Sequence, residues 1–302
     1  MIFTHSTFAN GQGPKLLKGI PIKNRILAGL KNEVAELIAA GKPRPALAIV
    51  QVGNNARSDV YVHKKKTFGH EMGVVVEHVQ MPEESSLDEI AARITELAQE
   101  SDVHGIILQM PLPPHIPKED AQKIMDLIPW AKDVDGLTTE NIRKLDADFN
   151  SAVVPATARA VDALLAGYDI SVQGKNVVVI GRSNLVGKPA ALSLARQGGH
   201  VTVCHSETQD IPSIARHADI LVVAAGAPNL IQPNFTNPQQ VIVDVGISLV
   251  AGTTSDGRIV GDADFNKVAG LVKAISPVPG GVGPLTVAGL FQNLIECYRK
   301  QV

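Results

Sequence analysis

The chain has 302 residues, 45% hydrophobic and 19% charged, with 26 glycines and 19 prolines. That length allows two domains, and the balance fits a folded α/β protein rather than a disordered or fibrous one. A formal net charge of −2 leaves no electrostatic footprint for nucleic acid. The two cysteines, Cys204 and Cys297, form neither a metal-ligand spacing nor a disulfide framework, which fits a reducing, cytoplasmic setting.

The first 15 residues have no apolar h-region and read as a loose polar extension; no later apolar run approaches a membrane span. "IKNRILAGLKNEVAELIAAGK" has a helical pattern ending at Gly41, and "PALAIVQVG" is a buried strand closed by a glycine. "SDVYVHKKKTFGHEMG" follows as a helix. On a wheel of about 100° per residue, Tyr61, Phe68 and Met72 form one apolar stripe and Lys65 falls inside it. Lys64 and Lys66 lie to either side as ordinary flank residues, and His63 and His70 face solvent. Lys65 therefore either snorkels its amine outward or sits desolvated with a lowered pKa.

"VVVEHVQM" is an alternating strand, "SLDEIAARITELAQES" a serine-capped helix, and "VHGIILQMPLPPHI" a buried strand stopped by prolines. Strands alternating with helices predict parallel βαβ units in one lobe, residues 1–153. From "SAVVPATARAVDALLAGYDI" onward a second unit begins, with strands at 176–180, "HVTVCH", "DILVVAAG" and "QVIVDVGI". This predicts a Rossmann-type nucleotide-binding domain over 154–283. "GPLTVAGLFQNLIECYRKQV", 284–302, is an amphipathic helix long enough to return to the first lobe. The fold class is thus α/β, two-lobed, with parallel strands in both lobes.

Four loops carry candidate chemistry. "GRSNLVGKP" stands where a Rossmann phosphate loop belongs, with Gly181 and Gly187 but no full GxGxxG, so it reads as a phosphate loop or a plain strand-to-helix turn. After the next strand comes "CHS", with no acid at the strand tip and Glu207 only beyond it. Arg182 and Ser206 could hold a 2′-phosphate there, which favours NADP over NAD. Gln109 ends a buried strand and points to the ligand crevice of an α/β sheet, or is simply a satisfied polar tip. "AKDVDG" is an Asx-type turn or a pair of functional acids. "PVPGGVGPLT" is a linker, or a shaped loop whose backbone can approach a ligand closely. The nine histidines form no metal-ligand set.

Taken in order, "VGNNARSDVYVHKKK", "GIILQMPLP", "KDVDG", "VVVIGRSNLVGKP", "TVCHSET", "VVAAGAP", "VDVGI" and "PVPGGVGPLT" resemble the bifunctional methylenetetrahydrofolate dehydrogenase/methenyltetrahydrofolate cyclohydrolase family, the FolD type, from about residue 16 to the C-terminus. The resemblance implies NADP-dependent oxidation of 5,10-methylenetetrahydrofolate and hydrolysis of the methenyl product to 10-formyltetrahydrofolate, a one-carbon reaction pair linked to purine biosynthesis. By position it makes Tyr61, Lys65, Gln109 and Asp135 catalytic, with Tyr61 and Asp135 also holding the folate. It assigns substrate closure to Pro279, Gly280 and Gly281. It places Thr157, Gly181, Arg182, Ser183, His205, Ser206, Ile247 and Thr286 at the cofactor. It further implies a cytoplasmic homodimer, with no metal and no nucleic-acid or membrane partner.

The chain departs from the family pattern at Thr67, where a second basic residue is usual, and in "PATA", "NIRKL" and "GDAD". None of these removes a catalytic position, although they leave the balance of the two activities open. The competing readings are a dehydrogenase without the cyclohydrolase step, a non-catalytic folate- or nucleotide-binding protein, and a shikimate- or amino-acid-type dehydrogenase. The last gives no reason for "PVPGGVGP".

Overall fold

The computed structural model describes residues 13–250 and 258–302. In chain order, β1 (Lys15–Leu16) and α1 (Gly19–Ala39) precede β2 (Ala46–Val52), α2 (Ala56–Met72), β3 (Val75–Met81), α3 (Leu87–Gln99) and β4 (Gly105–Leu108). Next come α4 (Lys118–Met125), α5 (Thr139–Ala147), α6 (Ala156–Gly167), β5 (Asn176–Ile180), α7 (Gly187–Arg196), β6 (His200–Cys204), α8 (Ile211–Arg216) and β7 (Ile220–Val223). The chain ends with β8 (Val241–Asp244), β9 (Ser248–Val250), β10 (Arg258–Val260), α9 (Phe265–Val268), β11 (Ala274–Ile275) and α10 (Gly283–Arg299). Two compact units emerge. One comprises Lys23–Ala156 with Val287–Val302, and the other the described residues up to Ile22 with Thr157–Thr286.

The first unit is built on a parallel three-stranded sheet, β3-β2-β4. Its central strand β2 is apolar almost throughout because both of its faces are covered. Side chains alternate across a strand. Leu47 and Ile49 accordingly join one core with Leu30, Val34, Phe68, Met72, Phe291 and Leu294. Ala48, Val50 and Val52 join another with Ile90, Ile94, Leu97 and Ile124. The serine start of α3 is a complete capping box, with Ser86 and Glu89 each satisfying the other's backbone N–H. Helix α10 enters the first core through Phe291, whose ring stacks on Phe68 of α2 at 5.1 Å. That contact fixes the helix that carries Lys65.

The second unit has a wholly parallel six-stranded sheet, β1-β11-β8-β7-β5-β6, and β9 pairs antiparallel with β10. After the edge strand β1, the chain lays down β5, adds β6 on one side of it, then returns to place β7 and β8 on the other. The order thus reverses between β5 and β7, which makes the switch point where such sheets bind ligands. Because the strands are parallel, the loops after β5, β6, β7 and β8 all leave from one edge.

The structure divides the chain differently from the sequence reading near the start. Residues 1–12 of the expected loose extension lie outside the described residues, but Lys15 and Leu16 form β1, paired in parallel with Ala274 and Ile275. Leu17 N–H then donates to Ile275 O at 2.9 Å and Gly19 N–H to Gly280 O at 2.8 Å. Tyr168 adds a clip: its hydroxyl accepts from Lys18 N–H and donates to Lys18 O. These backbone bonds place residues 13–22 with the second unit rather than within 1–153. At the other boundaries the structural division falls at 156/157 and 286/287, three residues beyond the expected 153/154 and 283/284.

Phe291→Ala removes a fully buried ring from the contact with α2. It is expected to cost about 3–5 kcal/mol, read from the midpoint of urea denaturation.

Candidate active site

Along α2 the buried positions are Ser58, Val62, Lys65, Phe68, Gly69 and Met72, the three-and-four spacing of one helix face. Lys65 is therefore held inward by the same periodicity that buries Phe68 and Met72, and it retains only 8% of its accessible surface. It does not snorkel. Its Nζ donates to Gln109 Oε1 at 3.0 Å. Gln109, itself 9% exposed, sits just past β4 and is oriented by donating Nε2–H to Met110 O at 2.8 Å. Burial lowers the Lys65 pKa, and the negative charge of Asp135 pulls it partly back up. Tyr61 departs from the wheel: it is 40% exposed, one turn from Lys65, with its ring facing the Lys64 amine at 5.5 Å. Lys64 is thus more than a flank residue, since it makes a cation–π contact with the ring expected to meet the substrate.

Loop 133–136 separates the two acids of "KDVDG". Asp133 is 2% exposed, and its carboxylate accepts the backbone N–H groups of Gly136, Leu137 and Thr138. Burial raises its pKa to about 6 against the opposing pull of those hydrogen bonds. Asp133 is thus the Asx-type turn residue, and Asp135, half-buried, is the acid whose field reaches Lys65. Two amides hold the loop from outside. Asn293 of α10 donates to Val134 O at 2.8 Å, and Asn141 donates to Gly136 O at 3.0 Å. Sequence reasoning missed both, because nothing local marks a buried asparagine 159 residues away as the partner of a loop carbonyl.

The remaining expected site residues lie in the second unit. Gly181, Arg182 and Ser183 follow β5, His205 and Ser206 follow β6, and Ile247 follows β8, all at the same sheet edge. Gly181 has φ +123°, and a Cβ there would collide with Ala224 O; one on Gly187 would collide with Gly181 O. The two glycines let the loop lie flat against the start of α7, which is the packing that a phosphate loop needs. Ser183 Oγ accepts from Val186 N–H at 3.3 Å. Arg182 is exposed and pairs with Glu207 at 3.4 Å, and His205 Nδ1 stands 3.9 Å from the same carboxylate. Glu207, read as lying beyond the strand tip, folds back among these residues. Ile247 is 53% exposed, Thr157 is the second residue of α6, and Thr286 Oγ1 donates to Gly283 O at 2.8 Å. In "PVPGGVGP", Pro279 is exposed, Gly280 has φ +109° and Gly281 is buried.

The tetrahydrofolate dehydrogenase/cyclohydrolase catalytic domain matches residues 17–135, and the NAD(P)-binding domain of the same family matches residues 155–302. The chain belongs to the tetrahydrofolate dehydrogenase/cyclohydrolase family. It is 43% identical over 290 residues to the bifunctional protein FolD of Chlamydia felis, covering 94% of this chain and 99% of that one. The bifunctional FolD enzyme of Campylobacter jejuni superposes with a TM-score of 0.88 at 37% identity, over 95% of this chain and 99% of that chain. The Trypanosoma brucei methylenetetrahydrofolate dehydrogenase-cyclohydrolase, solved with NADP and an inhibitor, gives a TM-score of 0.88 at 34% identity, over 96% and 98%.

As a member of this family, the chain carries an NAD(P)-binding domain. The loop after β5 is shaped by glycines for a pyrophosphate at the start of α7. Past the tip of β6 the Glu207 carboxylate is engaged with Arg182, while exposed Arg182 and Ser206 suit a 2′-phosphate. The Arg182–Glu207 pair is solvent-exposed and therefore weak, so a dianionic phosphate can replace Glu207 as the guanidinium's partner.

Lys65 also leaves a signature in stability. An amine whose pKa is lower folded than unfolded binds fewer protons in the folded state, so its ionisation opposes folding at neutral pH. The opposition fades as the pH rises towards the unfolded value. Wild type is expected to gain stability relative to Lys65→Met as the pH is raised from about 7 to about 10, measured by denaturant unfolding at each pH.

Proposed function

We propose that this chain oxidises 5,10-methylenetetrahydrofolate to the methenyl form with NADP and hydrolyses that product to 10-formyltetrahydrofolate, with Lys65 as the proton carrier. The observation that carries the residue assignment is the buried Lys65 amine, bonded to Gln109 and within the field of Asp135. When bound, the nicotinamide supplies the hydride acceptor; the protein's contribution to that step is orientation.

Hydrolysis needs proton transfers that the residues of α2 can perform. Water adds to the methenyl carbon, forming a C–O bond and releasing a proton, which neutral Lys65 accepts. The resulting ammonium returns that proton to the ring nitrogen as its C–N bond breaks; the added hydroxyl becomes the formyl C=O and releases its proton to solvent, and neutral Lys65 is regenerated. Desolvation makes the neutral amine accessible, and a cationic methenyl substrate lowers its pKa further. Gln109 holds the amine in place through either protonation state, since Nζ donates in both. Asp135 keeps the ammonium form reachable and offers a carboxylate to the donor groups of the pterin. Tyr61 presents a ring for stacking on the flat folate. Pro279, Gly280 and Gly281 supply a loop whose backbone closes on the substrate. Thr157, Ile247 and Thr286 border the nicotinamide.

Among the described residues no helix is long and apolar enough to cross a membrane. We place the enzyme in the cytoplasm, feeding formyl-folate to purine biosynthesis, as a homodimer formed through the nucleotide-binding unit. In support of that interface, β6 is an edge strand with exposed Thr202 and Val203.

Lys65→Ala is expected to lower cyclohydrolase kcat, assayed on methenyl-folate alone, by at least about 10²-fold. Hydrolysis at the wild-type rate would remove Lys65 from the mechanism. Asp135→Ala is expected to raise the folate KM about tenfold in both assays, with the KM for NADP unchanged. A wild-type protein that reduces NADP on methylene-folate but leaves methenyl-folate intact would show a dehydrogenase without the second activity.

A further inference from the structure

"GDAD", residues 261–264, differs from the family pattern and has no role in the chemistry above, yet its first acid occupies a decisive place. Asp262 is fully buried, and its Oδ2 accepts the N–H groups of Ala225 and Gly226, each at 2.8 Å. Those two residues are exposed and form the loop leaving the C-terminal end of β7, with Gly226 in the left-handed region at φ +67°. The same loop lies against the phosphate loop: Ala224 N–H donates to Ile180 O at 2.8 Å, and Gly181 is packed against Ala224 O. It therefore borders the switch point between β5 and β7, where a doubly wound sheet takes its ligand.

Asp262 is itself held by a second buried acid. Asp244, the last residue of β8, is 3% exposed and accepts Asp262 N–H at 3.1 Å, Gly246 N–H at 2.9 Å and Ala263 N–H at 2.8 Å. Gly246 directly precedes Ile247, so the loops after β7 and β8 are tied to one segment by two neighbouring carboxylates. The Asp262 Oδ1 atom is buried with no hydrogen-bond partner among the described residues, and a Cβ on Gly246 would collide with it. Burial pushes both carboxyls above the usual range, Asp244 to about 6. A pair of acids is a costly way to fill a core, but a carboxylate is a compact acceptor for several backbone N–H groups at once. The chemistry thus points to control of the loop's shape.

We propose that Asp262 is a positioning residue for the nucleotide: it sets the conformation of the Ala224–Gly226 loop and thereby the affinity for NADP, without touching the cofactor. This rests on the NADP-dependent reading above. Because the cyclohydrolase step consumes no nucleotide, the two activities separate positioning from damage to the fold. Asp262→Ala removes both loop hydrogen bonds, whereas Asp262→Asn keeps one oxygen to accept them.

The test measures KM and kcat for NADP, cyclohydrolase kcat/KM, and direct NADP binding by calorimetry, on wild type and both variants. Asp262→Ala is expected to weaken NADP binding and raise its KM by about tenfold, equivalent to about 1.4 kcal/mol. Cyclohydrolase kcat/KM should stay within about twofold, and Asp262→Asn should recover most of the NADP affinity. An unchanged KM and binding constant in Asp262→Ala would overturn the proposal. So would a fall in both kcat values with the KM for NADP unchanged, which is what partial unfolding produces. If Asp262→Ala does not fold, Asp262→Asn alone decides: NADP affinity more than about tenfold below wild type, with cyclohydrolase kcat/KM equally reduced, overturns it. Affinity near wild type in that variant supports it. A wild-type enzyme that fails to reduce NADP with methylene-folate would overturn the underlying functional reading instead.

Discussion

An amine taken out of water either loses its proton readily or draws on nearby polar groups to keep it. At Lys65 both tendencies are present. The helix face between Val62 and Phe68 buries the side chain, Gln109 gives Nζ its hydrogen bond, and Asp135 supplies a compensating charge. Much of the first unit serves this arrangement. Phe291 braces the buried face of α2 through Phe68, Asp133 folds the loop that carries Asp135, and Asn293 and Asn141 hold that loop by its carbonyls. A proton carrier needs an amine that can exist in both states at working pH. The surroundings of Lys65 move it in that direction: burial lowers its pKa, and Asp135 opposes the shift.

The second unit solves a different problem with similar means. Its parallel sheet delivers four loops to one edge, but a loop that binds a nucleotide must have a fixed shape before the ligand arrives. Gly181 and Gly187 allow close approach of the loop after β5 to its helix. Asp244 and Asp262 tie down the loops after β7 and β8 through their backbone N–H groups. In both units, then, one buried acid of a short acidic motif shapes the backbone: Asp133 in "KDVDG" and Asp262 in "GDAD". The neighbouring acid is left nearer the surface.

The sequence is informative where a single periodicity decides the outcome. The α2 wheel places Lys65 inside the apolar stripe but leaves open whether its amine snorkels or is buried, and the apolar runs of β2 and β5 point directly to covered parallel strands. Angle does not give depth, however, so Tyr61 reads as part of the buried stripe although it is 40% exposed. Two acids separated by one valine look equivalent in sequence, and only the hydrogen bonds of Asp133 distinguish them from each other. The pairing of β1 with β11 was illegible for a related reason: two residues carry no strand period, and their partners lie at 274 and 275. Glu207 and Asn293 act through tertiary contacts that no local pattern announces. The folate and NADP roles themselves came from whole motifs such as "PVPGGVGP" rather than from any periodicity.

The state of the Lys65 amine can be observed directly. Wild type and Lys65→Met, each labelled with carbon-13 at the lysine ε-carbon, would be titrated by NMR between about pH 6 and about pH 12. The account predicts one resonance with a midpoint below the ordinary lysine value of about 10.4, absent from the Lys65→Met spectrum. If every lysine resonance of the wild type titrates at the ordinary value, the amine is not desolvated, and the central role given to Lys65 is contradicted.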